Sequence, residues 1–203
     1  MKKLFILLVL AFSLCGCTER KVKNTATDYL QKQMKDPSSF KAEEIDVVLD
    51  TIPLYLNHNL LSLGNKAHDA LDDVNRYKNR SSSLWYSEQK EASEKLSSTM
   101  FEILTSYNEL KAKKDKSVHY MVLIKSSGKN SYGGTVSSNY IVIVDKDNTD
   151  KVLGEYRVDN DLLEKIVPIL TISGEGDRLL KENEFGKIDT EGLTKVEQFI
   201  FAD

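Results

Sequence analysis

The chain has 203 residues and a formal net charge of −3 at pH 7, with 31 acidic and 28 basic side chains. This length is sufficient for one domain with a substantial hydrophobic core. The slight excess of acidic residues argues against a nucleic-acid partner, because proteins that bind nucleic acids usually carry a basic surface.

The start of the chain has the features of a bacterial lipoprotein signal. A basic start precedes an apolar run over residues 4–14, which is shorter than the about 20 residues that span a bilayer. Gly16 then precedes Cys17, an order that resembles the lipobox of bacterial lipoproteins, in which a peptidase cuts before a lipidated cysteine. We therefore predict a signal peptide over residues 1–16 and a lipid anchor with fatty acyl chains such as palmitate on Cys17.

Lipidation would use the only cysteine of the mature chain, because cleavage before Cys17 removes Cys15. Neither a disulfide framework nor a cysteine nucleophile is therefore predicted. Two or more acyl chains hold a protein stably on a membrane without an exposed hydrophobic protein surface. Thr18 stands where an Asp retains lipoproteins at the inner membrane in well-known sorting systems, so the sequence favours the outer membrane, facing the periplasm.

A helix is predicted after a short polar tether over residues 17–24. Thr25 and Asp28 resemble a capping box, which places the predicted helix start at Thr25. Apolar side chains keep a helical spacing from Val22 to Met34. Pro37 disfavours helical geometry in the residue before it, so the helix should end there. Alternating apolar and polar residues over 44–49 then predict a strand.

Residues 60–113 predict an antiparallel helical hairpin inserted after the first one or two strands. Apolar side chains recur at steps of three and four in both halves, and the second half has the narrow stripe of a coiled coil. A polar segment over residues 79–83 predicts the turn between them. The stripe consists of Leu60, Leu63, Ala67, Leu71, Val74, Trp85, Ala92, Leu96, Met100, Ile103, Tyr107 and Leu110.

Three more strands are predicted after the hairpin. Apolar alternation predicts strands over residues 118–124 and 152–158. Residues 140–144 are apolar at every position, which is typical of a central strand. A polar turn over residues 145–151 separates the last two strands.

Two further helices complete the predicted elements. Asp161 and Glu164 resemble a second capping box, and Pro168 should end that helix early. Another short helix is predicted over residues 193–201. The predicted fold is α+β, with an N-terminal helix packed on a small, mostly antiparallel sheet and the helical hairpin inserted. Residues 25–203 are predicted to form a single domain.

A glycine-rich segment over residues 128–135 lies between two predicted strands and comes close to a phosphate-binding P-loop. Gly134 occupies the position of the lysine that would contact phosphate, and no helix N-terminus follows. A hairpin loop in which Gly133 or Gly134 takes a positive φ is predicted instead. Because loops often carry function, part of this segment is a candidate recognition loop. Its residues are Asn130, Ser131, Tyr132, Gly133 and Gly134.

The sequence contains no complete catalytic or metal-binding pattern. Ser126-x-x-Lys129 and Ser137-x-Asn139 resemble two of the three motifs of penicillin-recognising serine enzymes, but the third motif, Lys-Thr-Gly, is absent. The histidines lack the spacing of metal ligands. They are His58, His68 and His119. No catalytic residue, metal or cofactor is therefore predicted.

Two segments resemble a family of uncharacterised envelope lipoproteins from bacteria related to Bacteroides. Residues 28–40 read Asp-Tyr-Leu-Gln-Lys-Gln-Met-Lys-Asp-Pro-Ser-Ser-Phe and are similar to the family's Lys-Asp-Pro-x-Ser-Phe opening. Residues 129–134 are similar to a Lys-Asn-Ser-aromatic-Gly-Gly turn found in several members. The resemblance covers the signal, the first helix and one hairpin, but not the helical insertion. It implies a location in the cell envelope and no particular activity.

The sequence therefore favours a lipid-anchored, non-enzymatic binding or protein-interaction module of the cell envelope. Its predicted partners are the membrane, through the anchor, and another envelope protein, through the helical hairpin over residues 60–113. One alternative is an envelope hydrolase that uses a histidine and the segment 128–134, which requires His119 or His58 to meet carboxylates in a pocket. A second alternative is a structural subunit of an envelope assembly.

Overall fold

The structure is a computed structural model that describes residues 2–78, 85–113, 118–173 and 195–201, with side chains described from Cys17 onward. Short 3-10 turns at Pro37–Ser39 and Leu54–Leu56 lie on either side of the first strand. The helices and strands, in chain order, are α1 (Lys2–Gln33), β1 (Lys41–Thr51), α2 (His58–Lys78), α3 (Tyr86–Lys113), β2 (Val118–Lys129), β3 (Thr135–Val144), β4 (Val152–Val158), α4 (Asn160–Ser173) and α5 (Lys195–Ile200).

The strands form an antiparallel sheet in the order β1-β2-β3-β4. Helix α1 packs on the sheet, and α2 and α3 are inserted between β1 and β2, where they pack against each other. The predicted α+β class, with an N-terminal helix on a small antiparallel sheet and an inserted helical hairpin, is therefore confirmed.

The chain divides into two compact units. The sheet unit contains α1, the four strands and α5, and the helical unit contains α2, α3 and α4. The helical unit thus combines the inserted hairpin with the helix that follows the last strand. The single domain predicted over residues 25–203 stays a prediction.

The core of the sheet unit lies between α1 and one face of the sheet. Val22, Ala26 and Leu30 are buried, and their spacing of four places them on one side of α1. Burial of a large aliphatic side chain contributes about 1.5–3 kcal/mol, so this helix face holds α1 on the sheet. The strand residues that complete the cluster are Val122, Ile124, Val142 and Val144.

The structure corrects the predicted start of the first helix. Helix α1 is continuous from Lys2, so residues 17–24, predicted as a tether, are helical. The buried Val22 extends the apolar face of α1 by one turn, which favours helix there. The Thr25 hydroxyl does not cap α1 but donates a 2.8 Å hydrogen bond to the carbonyl oxygen of Thr149. The helix ends at Gln33, close to the predicted stop before Pro37.

The other face of the sheet is also apolar, and α5 packs against β2. Val196 and Ile200 of α5 are buried, and Lys195 Nζ lies 3.0 Å from Asp46 Oδ2 of β1. The short helix predicted over residues 193–201 is therefore confirmed in α5. Burial on both faces of β2 and β3 agrees with the central strand predicted over residues 140–144. The buried residues opposite α1 are Met121, Leu123, Ile141 and Ile143.

In the helical unit, the buried residues of α2 differ in part from the apolar stripe that the sequence predicted. Leu71 is 43% exposed, whereas Gly64 and Ala70 of the same helix are buried. A β-carbon at Gly64 would overlap the carbonyl oxygen of Lys165 in α4 and lie 2.8 Å from its carbonyl carbon. Close approach of α2 and α4 therefore depends on this glycine. The turn predicted over residues 79–83 lies outside the described residues.

Helix α4 extends through Pro168 to Ser173, so the early end predicted at this proline is wrong. Pro168 lacks the N–H that would bond to the carbonyl of the exposed Glu164, a loss of one helical hydrogen bond. Burial of the apolar side chains around it outweighs that loss. These are Leu162, Ile166, Ile169 and Leu170. The predicted cap at Asp161 is also corrected, because the Asp159 carboxylate accepts the bond from the Leu162 N–H at 3.1 Å.

Candidate functional site

The candidate recognition loop, residues 130–134, connects β2 to β3. The Asn130 Oδ1 atom accepts hydrogen bonds from the backbone N–H groups of Tyr132, at 3.0 Å, and Gly134, at 2.9 Å. The Asn130 backbone N–H donates to the Gly134 carbonyl oxygen at 2.9 Å, and the Gly133 N–H donates to the Asn130 carbonyl oxygen at 3.0 Å. One asparagine thus binds the backbone of the whole loop.

The loop also requires a glycine at position 133. Gly133 has a φ of 79°, a left-handed conformation that glycine adopts at little cost. This confirms that one of the two predicted glycines takes a positive φ. Gly134 lies against the asparagine, since a β-carbon there would stand 3.4 Å from Asn130 Nδ2.

The side chain of Tyr132 is 95% exposed at the tip of this loop. Its backbone is held by the bond to Asn130, while its ring extends into solvent. Tyrosine, serine, glycine and asparagine are the residues that antibody binding loops favour, because tyrosine provides a large contact area at low entropic cost and the others adapt their hydrogen bonding. The recognition loop contains only these four residue types.

The base of the recognition loop is joined to the segment that follows α1. The Lys129 backbone N–H donates a 2.9 Å hydrogen bond to Ser39 Oγ. Ser39 belongs to the 3-10 turn capped by Asp36, whose carboxylate accepts bonds from the Ser38 hydroxyl at 2.6 Å and the Ser38 N–H at 3.1 Å. The bond from the Ser38 hydroxyl is the main cause that lowers the pKa of Asp36. The loop therefore lies at the C-terminal end of α1.

A second turn, residues 145–151 between β3 and β4, lies at the other end of the sheet; we call it the anchor-side turn. Asp150 Oδ2 lies 2.8 Å from Lys21 Nζ, and the Thr149 carbonyl oxygen accepts the bond from Thr25. Within the turn, the Asp145 carboxylate accepts a 2.9 Å bond from the Asp147 N–H, which is the main cause that lowers the pKa of Asp145. The predicted polar turn is confirmed, and it lies beside Lys21 and Thr25 of α1.

The predicted lipidation site lies close to the packed core. Cys17 is exposed with a free thiol, and it precedes the buried Val22 by five residues of the same helix. At the α-helical rise, this is about 7 Å along the axis, and Gln33 lies about 24 Å from Cys17. Strand β3, which joins the two turns, spans about 30 Å. Cys17 and Tyr132 are therefore at opposite ends of the sheet unit.

The structure does not bring His119 to the recognition loop, as the hydrolase hypothesis requires. His119 lies at the start of β2 and the loop follows its end, about 33 Å along the strand. His119 Nδ1 and Glu155 Oε2 are buried without a hydrogen-bond partner. Strand alternation places them on opposite faces of the sheet, because Glu155 pairs with Val142. They do not form a common site.

The other histidines belong to the helical unit. His58 is the first residue of α2, and His68 Nε2 lies 3.3 Å from Glu164 Oε2 and 3.7 Å from Asp72 Oδ2. These carboxylates are on the exposed side of the helices, and the arrangement is a surface ion pair when His68 is protonated. Within the described part of the chain, no group of three His, Cys, Asp or Glu side chains has the arrangement of a metal site.

Comparisons with known proteins return no similarity that identifies the chain. No family model matches it, and neither a curated protein nor a solved structure does. Among the residues that the structure describes, no helix is both long enough and apolar enough to cross a membrane. The geometry of the recognition loop and of Cys17 is therefore what supports a function.

Proposed function

We propose that this chain is a lipid-anchored interaction module of the cell envelope, held by Cys17 and binding a protein partner through the recognition loop. The observation that carries the proposal is the 95% exposure of Tyr132 on a loop whose backbone Asn130 holds in place. The anchor and the loop lie at opposite ends of the sheet unit. Such an arrangement presents the loop away from the membrane.

A protein partner suits the chemistry of this loop. Tyrosine is among the residues that contribute most to binding energy at protein interfaces. An exposed aromatic residue alone is ordinary on a protein surface. What distinguishes Tyr132 is its pre-organised backbone, because a partner that binds it does not have to order the loop, and the entropic cost of association is lower.

The partner can be tested by photo-crosslinking in intact envelopes. A photoreactive phenylalanine analogue is placed at position 132, and at position 86 as a matched control. Tyr86 is a tyrosine with 71% exposure, on α3 of the helical unit. We expect a discrete protein adduct from position 132 that the Tyr132→Ser variant of the unlabelled protein does not compete away. No adduct from position 132, or the same adducts from both positions, would contradict the proposal.

The anchor can be tested separately by mass spectrometry of the mature N-terminus. We expect the chain to begin at Cys17 with a diacylglyceryl group on its thiol and to fractionate with the outer membrane. The Cys17→Ala variant should lose both the modification and the membrane association. An unmodified Cys17, or a mature chain that begins elsewhere, would end the lipoprotein proposal.

A second candidate interface lies on the inserted hairpin. Phe101 is 70% exposed on α3, and Leu104, three residues later on the same side of the helix, is also exposed. An envelope protein bound there would cover both side chains. The crosslinking analogue at position 101 separates the two proposals, because a partner on the hairpin gives an adduct at position 101 and none at position 132.

A further inference from the structure

We infer that the sheet unit has a fixed orientation on its membrane, with the anchor-side turn, residues 145–151, facing the lipid headgroups. This inference rests on the proposed lipidation of Cys17. The partner of the anchor-side turn is thus a lipid surface. The structural basis is the joining of α1 and this turn near the anchor.

A short helical segment, and no flexible linker, connects the lipidated residue to the core. After cleavage before Cys17, α1 would consist of residues 17–33, and its first buried residue would be Val22. A flexible linker of the same length would let the domain turn freely, but a helix of five residues places the core about 7 Å from the anchor. The sheet must therefore lie close to the headgroups.

The anchor-side turn is the part of the sheet unit that lies closest to the anchor. Lys21, four residues after Cys17, lies 2.8 Å from Asp150, and Thr25, two helical turns after Cys17, bonds to Thr149. The anchor-side turn is thus joined to the first turns of the mature helix. Its exposed side chains at Lys146 and Asp147 belong to the end of the sheet that the membrane faces.

Surface charge does not maintain this orientation. Exposed cations at this end include Arg20, Lys21 and Lys146, but Asp147 and Asp150 offset them. Attraction to anionic lipid is therefore not the cause, since it requires an excess of basic residues. The short helical connection and the Thr25–Thr149 bond set the orientation, so it should persist when salt screens surface charges.

The mature lipidated protein permits a direct measurement, because its only native thiol carries the lipid. A cysteine introduced as Asp147→Cys or as Ser131→Cys is then the single site for a nitroxide label. The protein is reconstituted in phosphatidylcholine vesicles containing a nickel-chelating lipid. We expect several-fold stronger relaxation enhancement of the label at position 147 than at position 131, at low and at high salt.

A matched control lengthens the connection without changing the sheet unit. A flexible Gly-Ser linker of about twelve residues between Cys17 and Thr18 should abolish the difference between the two labels and leave the circular dichroism unchanged. Equal enhancement at both positions without the linker, in protein shown to be lipidated and vesicle-bound, overturns the inference alone. Failure of lipidation or of vesicle binding instead overturns the proposed function.

Discussion

At the scale of single residues, Asn130 determines the shape of the recognition loop. Its side chain accepts two backbone hydrogen bonds and its backbone makes two more within five residues. Asparagine and glycine are common in turns because their local geometry favours such bonds. The conformation of the loop is therefore encoded almost entirely within the loop itself.

Replacing Asn130 tests whether its side-chain hydrogen bonds stabilise the loop. The Asn130→Ala variant removes both bonds accepted by Oδ1, and we expect a loss of about 1 kcal/mol in the free energy of unfolding measured in urea. Asn130→Asp keeps an acceptor at the same place and should retain most of that stability. Ser131→Ala is the control in the same loop. Equal stability of the Ala and Asp variants would show that these bonds contribute nothing.

Asp145 makes the stability of the anchor-side turn dependent on pH. The Asp147 N–H foremost, and then the Asn148 N–H and Lys151, hold the pKa of Asp145 below its ordinary value of 3.8. A carboxyl with a lower pKa in the folded state stabilises the fold above its unfolded pKa, and this contribution is lost as the pH falls through the folded value. The lowered pKa of Asp36 acts in the same direction.

We therefore expect Asp145→Asn to reduce the acid sensitivity of the protein. Between about pH 7 and about pH 3, its urea midpoint should fall less than that of the unmodified protein, because position 145 then has no carboxylate whose protonation would destabilise the turn. Asp147→Asn changes the charge of the same turn and is the control. An identical fall in all three proteins would contradict this assignment.

At the scale of elements, the packing of α2 on α4 depends on the missing side chain of Gly64. We expect Gly64→Ala to lower the free energy of unfolding by about 3 kcal/mol, because the added methyl group overlaps the Lys165 carbonyl. Gly154→Ala is the matched control, since a β-carbon there meets nothing within 4 Å. Thermal unfolding followed by circular dichroism measures both. Equal melting temperatures of the two variants would show that α2 and α4 accommodate the added methyl group without loss of stability.

The sequence was sufficient to predict the class of the fold and the order of its elements, because apolar periodicity differs between helices and strands. It was not sufficient where contacts between elements determine which side chains are buried and where a helix ends. The stripe of α2 predicted a buried Leu71, which is exposed, whereas Gly64 and Ala70, which the stripe did not include, are buried. Pro168 carried a local stop signal that the buried faces of α4 outweigh.

For the candidate site as well, local features could be predicted from the sequence and the long-range position could not. The recognition loop and its positive-φ glycine were predictable, since both follow from neighbouring residues. Its position at the end opposite Cys17 was not. That position depends on contacts such as Thr25 with Thr149, which are 124 residues apart in the chain, and no local pattern reports them.

At the scale of the whole molecule, α1 is part of the sheet unit as well as the predicted connection to the membrane. Val22 and Ala26 belong to the buried cluster, so the fold depends on residues immediately after the anchor. A helix that served only as a spacer would have no buried face. Here the same residues join the core and determine its distance from Cys17.

Two truncated proteins test this double role. A chain that begins at Thr18 keeps the whole buried face of α1 and should fold with a cooperative thermal transition. A chain that begins at Asp28 lacks Val22 and Ala26 and should lose about 3 kcal/mol or more of stability. Equal melting temperatures of the two chains would show that residues 18–27 of α1 are not needed for stability. The comparison needs no lipid, so it is independent of the anchor.

The hydrogen bonds of the recognition loop leave two side chains unused. Asn130 binds backbone atoms, and within the described residues neither the Ser131 nor the Tyr132 side chain makes a hydrogen bond or ion pair. Replacing these two side chains therefore leaves the supporting bonds in place. Mutation at these two positions can change what the protein recognises without changing how it folds, so the loop tip is where new binding preferences could evolve at least cost to stability.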